Sequence, residues 1–428
     1  MNFSQFQGPV EFGSPRPLPI SILRGPDSRR RIRMGALSGD FSLPGKVSFL
    51  GLNQVLLLGK ACLYFGIDND NTQGGRWLSQ RRKIMKALRF TGWQQPIELM
   101  ELPIPVPGPG EVLIKVAGSG ACHSDLHIME APSGKVDWVL PFTLGHENAG
   151  WIEQLGPGVK GFGHGEAVIV HGAWGCGNCG RCRIGAENYC ENRHTVKAKG
   201  GGLGRDGGMS EYMLVPSSRH LVRLGRVDPR EAAPLGDAAL TPYHAIKGSL
   251  GILGPGSSAV VIGVGGLGQM AVQLLKALTV AQVIAVDRSA EKLEQARNLG
   301  ADATFISDDK TATKILDATG KRGAELVLDV VGATPTLSLA AKVARELGHL
   351  TILGLGHGDF QLFSIPKGCQ VSTPFWGTIT DLIDVVQLAE KKKITLHNEY
   401  FSLDRAKDAY ERMKEGRLTG RAVITPHG

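Results

Sequence analysis

Four cysteines are crowded into one 15-residue stretch of the sequence, as Cys176-Gly-Asn-Cys179-Gly-Arg-Cys182, with Cys190 following after seven residues. Four thiolates at this spacing can close a tetrahedral shell around Zn²⁺ and leave no position open for a substrate. We therefore predict a structural zinc site made by these four cysteines. The alternatives are an iron–sulfur cluster and an incidental group of thiols, although four free thiols in one loop would be a chemical liability.

A glycine-rich turn, Gly263-Val264-Gly265-Gly266-Leu267-Gly268, follows the apolar run Ala259–Ile262 and precedes a helical pattern. In a strand–turn–helix context this motif predicts a dinucleotide site. The first glycine permits the tight turn, the second lets a pyrophosphate approach the backbone, and the third lets the helix pack on the strand. The phosphates then lie at the positive end of the helix.

Asp287 ends the next predicted strand, 19 residues after Gly268. A carboxylate at this place accepts hydrogen bonds from ribose hydroxyls and repels a 2′-phosphate, which favours NAD over NADP. The adjacent Arg288 weakens this preference, and a solvated loop acid is the alternative interpretation.

Two further motifs hold metal-binding residue types, but each is ambiguous alone. The first is Cys122-His123-Ser124-Asp125-Leu126-His127, which follows a strand-like run. A buried cysteine followed by a turn has the same appearance. The second is Gly145-His146-Glu147, in which a histidine beside a glutamate is surrounded by glycines. This suits a metal ligand on a tight turn, although a lone histidine is more often structural.

The pattern around these motifs changes along the chain. From Met85 to about residue 235, short apolar runs between Pro/Gly turns predict a β-rich region. From Ser257 onwards strands and helices alternate, which predicts a doubly wound parallel sheet. The predicted strands are Met85–Phe90, Glu111–Ala117, Ala259–Ile262, Val283–Asp287, Glu325–Val331, His349–Leu353 and Ala422–Thr425, and the predicted helices are Gly268–Leu278 and Ala290–Leu299.

The net charge of +8 is unevenly distributed over the 428 residues. Residues 1–84 carry 12 Lys and Arg against 5 Asp and Glu, which accounts for +7. The remaining chain therefore gives no electrostatic reason to expect nucleic-acid or membrane binding. No apolar run reaches the 18 residues of a membrane span, and clustered reduced thiols indicate a reducing compartment, so we expect a cytoplasmic protein.

Residues 1–84 contain scattered prolines and an Arg29–Arg33 cluster without helical or strand periodicity. We expect an extension with little stable structure. An organelle transit peptide is one alternative, which Glu11 and Asp27 weaken. Another is that the natural protein begins at Met85.

Taken together, the motifs resemble the zinc-containing medium-chain alcohol dehydrogenases, from Met85 to about Thr425. The resemblance implies an α/β protein with a β-rich, chaperonin-10-like (GroES-like) catalytic domain over residues 85–240 and 380–428. A Rossmann NAD-binding domain is then expected over residues 241–379. The resemblance further implies NAD, two zinc ions per chain, a small alcohol or ketone as substrate, and a homodimer or homotetramer.

The resemblance also implies a catalytic zinc site. Cys122 and His146 match two of its ligands, and Asp237 stands where the family usually has a second cysteine. Aspartate supplies one negative charge, as a thiolate does, and binds zinc at a similar distance. The segment Asp237-Ala-Ala-Leu-Thr241-Pro-Tyr-His244 is similar to a bacterial subgroup of secondary-alcohol dehydrogenases. Glu147 matches a family residue that can become an alternative ligand.

Other roles are carried over by position. Ser124 matches the hydroxyl that takes the alcohol proton, and His127 matches the outer end of that relay. Asp125 matches an acid that supports the metal ligands, with Arg421 as its expected partner. Four further assignments are Thr241 at the nicotinamide, Lys292 at the adenosine ribose, Gly354-Leu355-Gly356 at the carboxamide, and Trp138 and Trp376 either in the pocket wall or in the core.

Two rival functions remain open at this stage. A zinc dehydrogenase of the same fold that acts on polyols or aldehydes has the same residue types. A non-catalytic zinc-binding interaction protein, with the basic extension as a nucleic-acid arm, belongs to another class. Metal analysis separates the second rival, since it requires one zinc per chain and the dehydrogenase requires two.

Overall fold

The computed structural model describes residues 83–134, 138–196 and 199–428, together with the backbone of two strands nearer the N-terminus. These strands, Gln54–Leu58 (β1) and Ala61–Phe65 (β2), pair in antiparallel register. Two residues separate them, which is the commonest hairpin loop length. The hairpin was not expected from the sequence, because its apolar run shows no strand periodicity. The rest of the predicted extension up to residue 82 lies outside the described residues.

The first half of the described chain is dominated by short strands. Its elements are β3 (Ile84–Phe90), β4 (Glu98–Pro103), β5 (Val112–Gly120), α1 (His123–Glu130), β6 (Phe142–Thr143), β7 (Glu147–Leu155), β8 (Ala167–Val170), α2 (Gly180–Arg183), β9 (Gly200–Gly201), β10 (Gly204–Arg205), β11 (Tyr212–Val215), β12 (Leu221–Arg223), α3 (Pro229–Ala232) and α4 (Leu240–Lys247).

The second half alternates strands with helices before it returns to the β-rich part. Its elements are β13 (Ser258–Ile262), α5 (Gly266–Leu278), β14 (Gln282–Asp287), α6 (Ala290–Asn298), β15 (Ala303–Ile306), α7 (Thr311–Ala318), β16 (Ala324–Asp329), α8 (Thr334–Val343), β17 (Ala344–Ile352), β18 (Gln370–Ser372), α9 (Ile379–Glu390), β19 (Asn398–Ser402), α10 (Ala406–Lys414) and β20 (Arg421–Thr425).

The β-rich part is built on a seven-stranded sheet. Six strands follow the order β12-β8-β7-β5-β20-β19, and β11 pairs with β5 as well. Strand β20 is antiparallel to β5 and parallel to β19. The sheet therefore joins strands that are about 300 residues apart in the sequence, since β5 begins at Val112 and β20 at Arg421. The apolar side chains of β5 are buried, as are Ala149 and Ile152 of β7, and this sheet therefore gives a rigid support to the residues that follow β5 and precede β7.

The second sheet has six parallel strands in the order β15-β14-β13-β16-β17-β18. This is the 3-2-1-4-5-6 order of a dinucleotide-binding fold, in which ligands bind beyond the carboxyl ends of the strands. All five residues of β13 are buried, as expected for a central parallel strand. The predicted α/β fold class is confirmed.

Element boundaries differ from the predicted ones at several places. Helix α5 begins at Gly266 rather than Gly268, and β17 begins at Ala344 rather than His349. Strand β16 ends at Asp329, two residues early, because the Asp329 carboxylate accepts the backbone N–H groups of Val331 and Gly332 and turns the chain.

Helix α1 was not predicted from the sequence. Its start is fixed by Asp125, whose carboxylate accepts the backbone N–H of Cys122 at 3.0 Å. A contact of this kind at the third helical position stabilises a helix start. In the part of the chain that the structure describes, no helix combines the length and the apolar composition that a bilayer crossing requires.

Candidate functional site

The four-cysteine loop forms one compact group of sulfur atoms. The Sγ atoms of Cys176, Cys179, Cys182 and Cys190 all lie within 4.8 Å of one another. Backbone N–H groups of the loop point at these atoms: Cys179 N donates to Cys176 Sγ and Cys182 N donates to Cys179 Sγ, both at 3.4 Å. The loop therefore folds around its sulfur atoms, as a closed tetrahedral zinc shell requires.

The pKa values of these thiols shift in opposite directions. Backbone N–H donors from Asn178 and Cys179 lower the pKa of Cys176 to about 6. By contrast, burial and the neighbouring thiols raise the pKa of Cys182 well above its ordinary value. Four sulfur atoms this close cannot all be thiolates without a compensating positive charge, which Zn²⁺ provides.

A second group brings together three residues from separate parts of the chain. Cys122 precedes α1, His146 precedes β7, and Asp237 follows a short 3₁₀ turn over residues 233–236. Asp237 Oδ2 lies 3.6 Å from Cys122 Sγ and 3.7 Å from His146 Nε2. Among the described residues, this trio and the cysteine loop are the two clusters with metal-binding geometry.

The trio fits a zinc ion by both chemistry and spacing. Zinc bonds to cysteine, histidine and carboxylate ligands are about 2.0–2.3 Å long, so a tetrahedral ion separates its ligand atoms by about 3.3–3.8 Å. The two distances to Asp237 Oδ2 lie in this range. Three protein ligands leave a fourth position open, which distinguishes a catalytic site from a structural one.

Strong electrostatic coupling marks the same trio. Burial alone would raise the pKa of Asp237, but the hydrogen bond and charge of His146, together with Arg421, lower it to about 2. Burial lowers the pKa of His146, whereas Asp125 and Asp237 outweigh it and raise that pKa well above its ordinary value. The pocket thus concentrates negative charge around the imidazole, which favours a cation there.

The turn before His146 requires glycine. Gly145 has φ +96°, and a Cβ there would lie 2.3 Å from Ser119 Oγ and 2.8 Å from the Met209 backbone nitrogen. The left-handed conformation without a side chain lets the strand enter at the angle that turns His146 inward.

The predicted partnership of Asp125 and Arg421 is wrong. Arg421 Nε donates to Glu147 Oε2 at 3.0 Å, and its Nη2 donates to Glu147 Oε1. Asp125 is instead held by Tyr410, whose hydroxyl donates to Oδ2 at 2.8 Å, while its Oδ1 lies 3.0 Å from His146 Nδ1. The sequence identifies the charges but not which acid the tertiary fold brings to the guanidinium.

Glu147 lies outside the metal-binding trio in this structure. Besides Arg421, its Oε1 accepts the backbone N–H of Ala238 at 3.1 Å. Burial raises the pKa of Glu147 to about 7, although Arg421 acts in the opposite direction. Its role as an alternative ligand stays a prediction.

The glycine turn has the strand–turn–helix geometry that the motif predicts. Gly265 caps α5, and a Cβ at Gly268 would lie only 1.9 Å from the Gly263 carbonyl oxygen. A Cβ at Gly266 would lie 3.1 Å from Arg421 Nη1, so the guanidinium faces the turn. The turn therefore leaves free backbone at the helix N-terminus, an arrangement that suits a phosphate group.

Asp287 is oriented by that same turn. Its Oδ2 accepts the N–H of Val264 at 2.7 Å, and its Oδ1 accepts the N–H of Ser289 at 2.9 Å. Arg288 is exposed, and the Lys292 backbone N–H bonds Ser289 Oγ at the start of α6. The carboxylate thus has a fixed position at the carboxyl end of β14.

Two further predicted positions lie beside the trio, and a third follows β17. Thr241 Oγ1 donates to Asp237 Oδ1 at 2.5 Å. Ser124 Oγ lies 3.6 Å from Cys122 Sγ. The Gly354-Leu355-Gly356 turn follows β17, with Gly354 N bonded to the Asp329 carbonyl oxygen and Leu355 exposed.

The two tryptophans and the relay histidine have different surroundings. The Trp376 ring meets His146 edge-on at 5.7 Å, beside the trio. Trp138 packs against Phe142 and Trp93 in an apolar cluster, as its core-packing alternative predicts. His127 is exposed and lies 6.1 Å, ring to ring, from His357, a contact that the sequence does not reveal.

Comparison with known proteins places these features in a family. Residues 108–226 match the alcohol dehydrogenase GroES-like domain, and residues 266–391 match the zinc-binding dehydrogenase domain. An NAD-dependent alcohol dehydrogenase from Sulfurisphaera tokodaii is 35% identical over 355 residues, which are 80% of this chain and 100% of that protein. The chain belongs to the zinc-binding alcohol dehydrogenase family.

Two other relatives show the breadth of this family. A D-arabinose 1-dehydrogenase (NADP(+)) from Saccharolobus solfataricus is 35% identical over 348 residues, which cover 80% of this chain and 97% of that protein. The crystal structure of the alcohol dehydrogenase from Aeropyrum pernix matches with a TM-score of 0.74 and 34% identity, over 80% of this chain and 100% of that chain. These matches confirm the predicted family and the prediction of an oxidoreductase that uses zinc and NAD.

Proposed function

We propose that this family member oxidises a secondary alcohol to a ketone, reversibly and with NAD, at the Cys122–His146–Asp237 trio. The observation that carries the proposal is the position of Arg421. Its guanidinium binds Glu147 next to His146, lies 3.8 Å from Asp237 Oδ2, and faces the glycine turn at Gly266. One buried side chain shared by both sites supports a single active site that holds alcohol and cofactor together.

Zinc at the trio supplies Lewis-acid polarisation of the alcohol oxygen, and NAD supplies the hydride acceptor. The chain's own residues prepare the site. Thr241 holds one carboxylate oxygen of Asp237, which leaves the other oxygen toward Cys122 and His146. Ser124 Oγ accepts the alcohol proton and passes it toward His127 at the surface.

The cofactor roles are proposals of the same kind. The glycine turn binds the pyrophosphate, and Asp287 binds the adenosine ribose, with Lys292 beside it. Thr241 and the Gly354–Gly356 turn contact the nicotinamide. Glu147 acts as the alternative zinc ligand, which requires it to leave Arg421.

The preference for a secondary alcohol rests on the Asp237–His244 segment and on Trp376 beside His146 as a pocket wall. A sugar or polyol substrate is the second candidate, because the relative named D-arabinose 1-dehydrogenase is as similar as the relative named alcohol dehydrogenase. Initial rates of NADH formation with 2-propanol, 2-butanol, D-arabinose and sorbitol separate the two candidates.

The proposal also covers the domain boundaries, the oligomeric state and the location of the protein. Residues 85–240 and 380–428 form the catalytic domain, residues 241–379 form the cofactor domain, and residues 1–84 form an extension. We further propose a homodimer or homotetramer in the cytoplasm, without a nucleic-acid or membrane partner.

Metal analysis of the Cys122→Ala variant tests the metal assignment. We expect two zinc ions per chain in the unmodified protein and one in the variant, with turnover reduced more than about a thousandfold, since zinc supplies several kcal/mol to the transition state. NAD binding, measured by calorimetry, should survive. Cys369→Ala is the matched control, because this free thiol lies outside both clusters, and it should keep two zinc ions and full activity. Normal turnover in Cys122→Ala, or one zinc in the unmodified protein, would refute the assignment.

A further inference from the structure

The partner of Asp125 comes from a part of the chain that no sequence motif marks. Tyr410 lies on α10, and its ring is buried in an apolar cluster with Leu126, Met209 and Ile424. Its hydroxyl reaches Asp125 Oδ2 at 2.8 Å, although the two residues are 285 positions apart. A helix near the end of the chain thus supplies a polar contact behind the metal-binding trio.

The contacted carboxylate supports two of the three proposed ligands at once. Asp125 Oδ2 accepts the backbone N–H of Cys122 at 3.0 Å, and Oδ1 lies 3.0 Å from His146 Nδ1. Asp125 is fully buried, so solvent does not provide substitute donors. A group that fixes the rotation of this carboxylate therefore holds the hydrogen bond to the cysteine backbone and keeps Oδ1 beside the imidazole ring.

The hydroxyl has one other acceptor nearby. Met209 Sδ lies 3.3 Å from it, but a thioether is a weak acceptor and an ionised carboxylate is a strong one. Burial, followed by the charge of Asp125, raises the pKa of Tyr410 well above its ordinary value, so the hydroxyl keeps its proton and remains a donor.

Arg421, which was the predicted partner of Asp125, binds a different carboxylate. Its guanidinium binds Glu147 and faces Gly266, whereas the tyrosine hydroxyl is the side-chain donor to Asp125 Oδ2. The neutral donor orients the carboxylate without cancelling its negative charge. The negative charge of Asp125 therefore remains available to the imidazole of His146, a proposed zinc ligand.

We propose that Tyr410 is a positioning residue for the catalytic metal, acting through Asp125 on Cys122 and His146. The inference rests on the proposed function, because it assumes that the trio holds zinc. It predicts that loss of one hydroxyl group weakens retention of the zinc at the trio and leaves the four-cysteine site unchanged.

Release of Zn²⁺ from Tyr410→Phe to the chromogenic chelator 4-(2-pyridylazo)resorcinol tests this proposal. We expect one of the two zinc ions to leave about tenfold faster than in the unmodified protein, the lower end of the effect usual for groups behind metal ligands. The second zinc should leave at the unmodified rate. With zinc in excess, kcat should fall while KM for the alcohol changes little.

Tyr400→Phe is the control, because the hydroxyl of this tyrosine accepts a hydrogen bond from Asn398 Nδ2 at 3.5 Å and belongs neither to the trio nor to the Asp237–His244 segment. Its two zinc release rates should be unchanged. In an Asp125→Asn background, Tyr410→Phe should add no further increase in release, since both act through one carboxylate.

The outcomes separate this inference from the proposed function. Two zinc ions per chain, with equal release from Tyr410→Phe and the unmodified protein, overturn the role of Tyr410 alone. One zinc per chain in the unmodified protein overturns the proposed function and this inference with it. Faster release that persists in the Asp125→Asn background shows that Tyr410 acts through general stability and also refutes the positioning role.

Discussion

Asp237 departs from the expected family pattern, and the proposed function requires its carboxylate to do the chemistry of a thiolate. The family usually places a second cysteine there, yet the carboxylate lies 3.6 Å from Cys122 Sγ and is held by Thr241. Carboxylate and thiolate each bring one negative charge to zinc. The net charge of the proposed ligand set is therefore the same as with a second cysteine.

The Asp287 carboxylate should decide the choice between NAD and NADP. Asp287→Asn removes the charge but keeps a similar shape, and we expect the ratio of kcat/KM for NAD to that for NADP to fall about tenfold to hundredfold. The reason is that a hydrogen bond to a charged group contributes about 1.5–3 kcal/mol, and repulsion of the 2′-phosphate is lost as well. Initial rates with both cofactors measure the ratio.

Asp302→Asn provides the control for that prediction. Asp302 directly precedes β15 and, like Asp287, accepts a backbone N–H, from Val283 at 2.7 Å. It should leave the ratio unchanged. An unaltered ratio in Asp287→Asn would mean that the exposed Arg288 or another group sets the preference.

Sequence patterns predicted the proposed ligands better than their supports. Cys122, His146 and the four-cysteine loop stand in motifs with definite spacing. Tyr410 does not, because Ala406, Ala409 and Met413 are buried with it on one face of α10 and make it look like an ordinary core residue. Its hydroxyl gains a role only from the tertiary contact with Asp125.

The β-α alternation after residue 257 was predictable at the scale of elements, because buried parallel strands read as continuous apolar runs. Helix α1 was not, since its stability comes largely from the Asp125 contact with Cys122 and from packing of Leu126. Local sequence thus specifies the parallel sheet more fully than it specifies the segment that carries Cys122.

The turn before α5 permits a test that separates folding from cofactor binding. A Cβ at Gly268 would lie 1.9 Å from the Gly263 carbonyl oxygen, whereas a Cβ at Gly265 meets nothing within 4 Å. Gly268→Ala should lower stability by about 1–3 kcal/mol through overpacking. Gly265→Ala should leave stability unchanged but weaken NAD binding, since its methyl group occupies the space over the helix N-terminus.

Thermal unfolding without NAD and calorimetry with NAD measure the two effects. The two alanine variants serve as controls for each other, because they differ only in which side of the turn receives the methyl group. Equal NAD affinity in Gly265→Ala and the unmodified protein would place the pyrophosphate elsewhere.

A buried histidine outside the trio should make the stability of the protein depend on pH. His220 packs against Trp174, and burial, followed by the charge of Arg219, lowers its pKa to about 2. In the unfolded chain this histidine binds a proton near pH 6.5, whereas in the folded protein His220 stays neutral at that pH. The stabilising contribution is therefore complete above pH 6.5 and is lost as the pH falls.

We expect the free energy of unfolding to drop by about 1.4 kcal/mol per pH unit from this group below pH 6.5. Urea unfolding at pH 7.0 and pH 5.0, with zinc present, should show a loss about 2 kcal/mol smaller in His220→Phe than in the unmodified protein. His164→Phe, at an exposed histidine, is the control. Identical losses in all three proteins would assign the pH dependence to other groups.

Strand β20 is synthesised long after β5, the strand with which it pairs. It pairs with β5 and carries Arg421, which binds Glu147 from 274 residues further along the chain. At translation rates of 5–20 residues per second, roughly 14–55 s separate the emergence of these two residues. During that interval part of β5 is an open strand edge, of the kind that pairs with other chains. Slower translation or crowded expression should therefore favour aggregation before the last strand arrives.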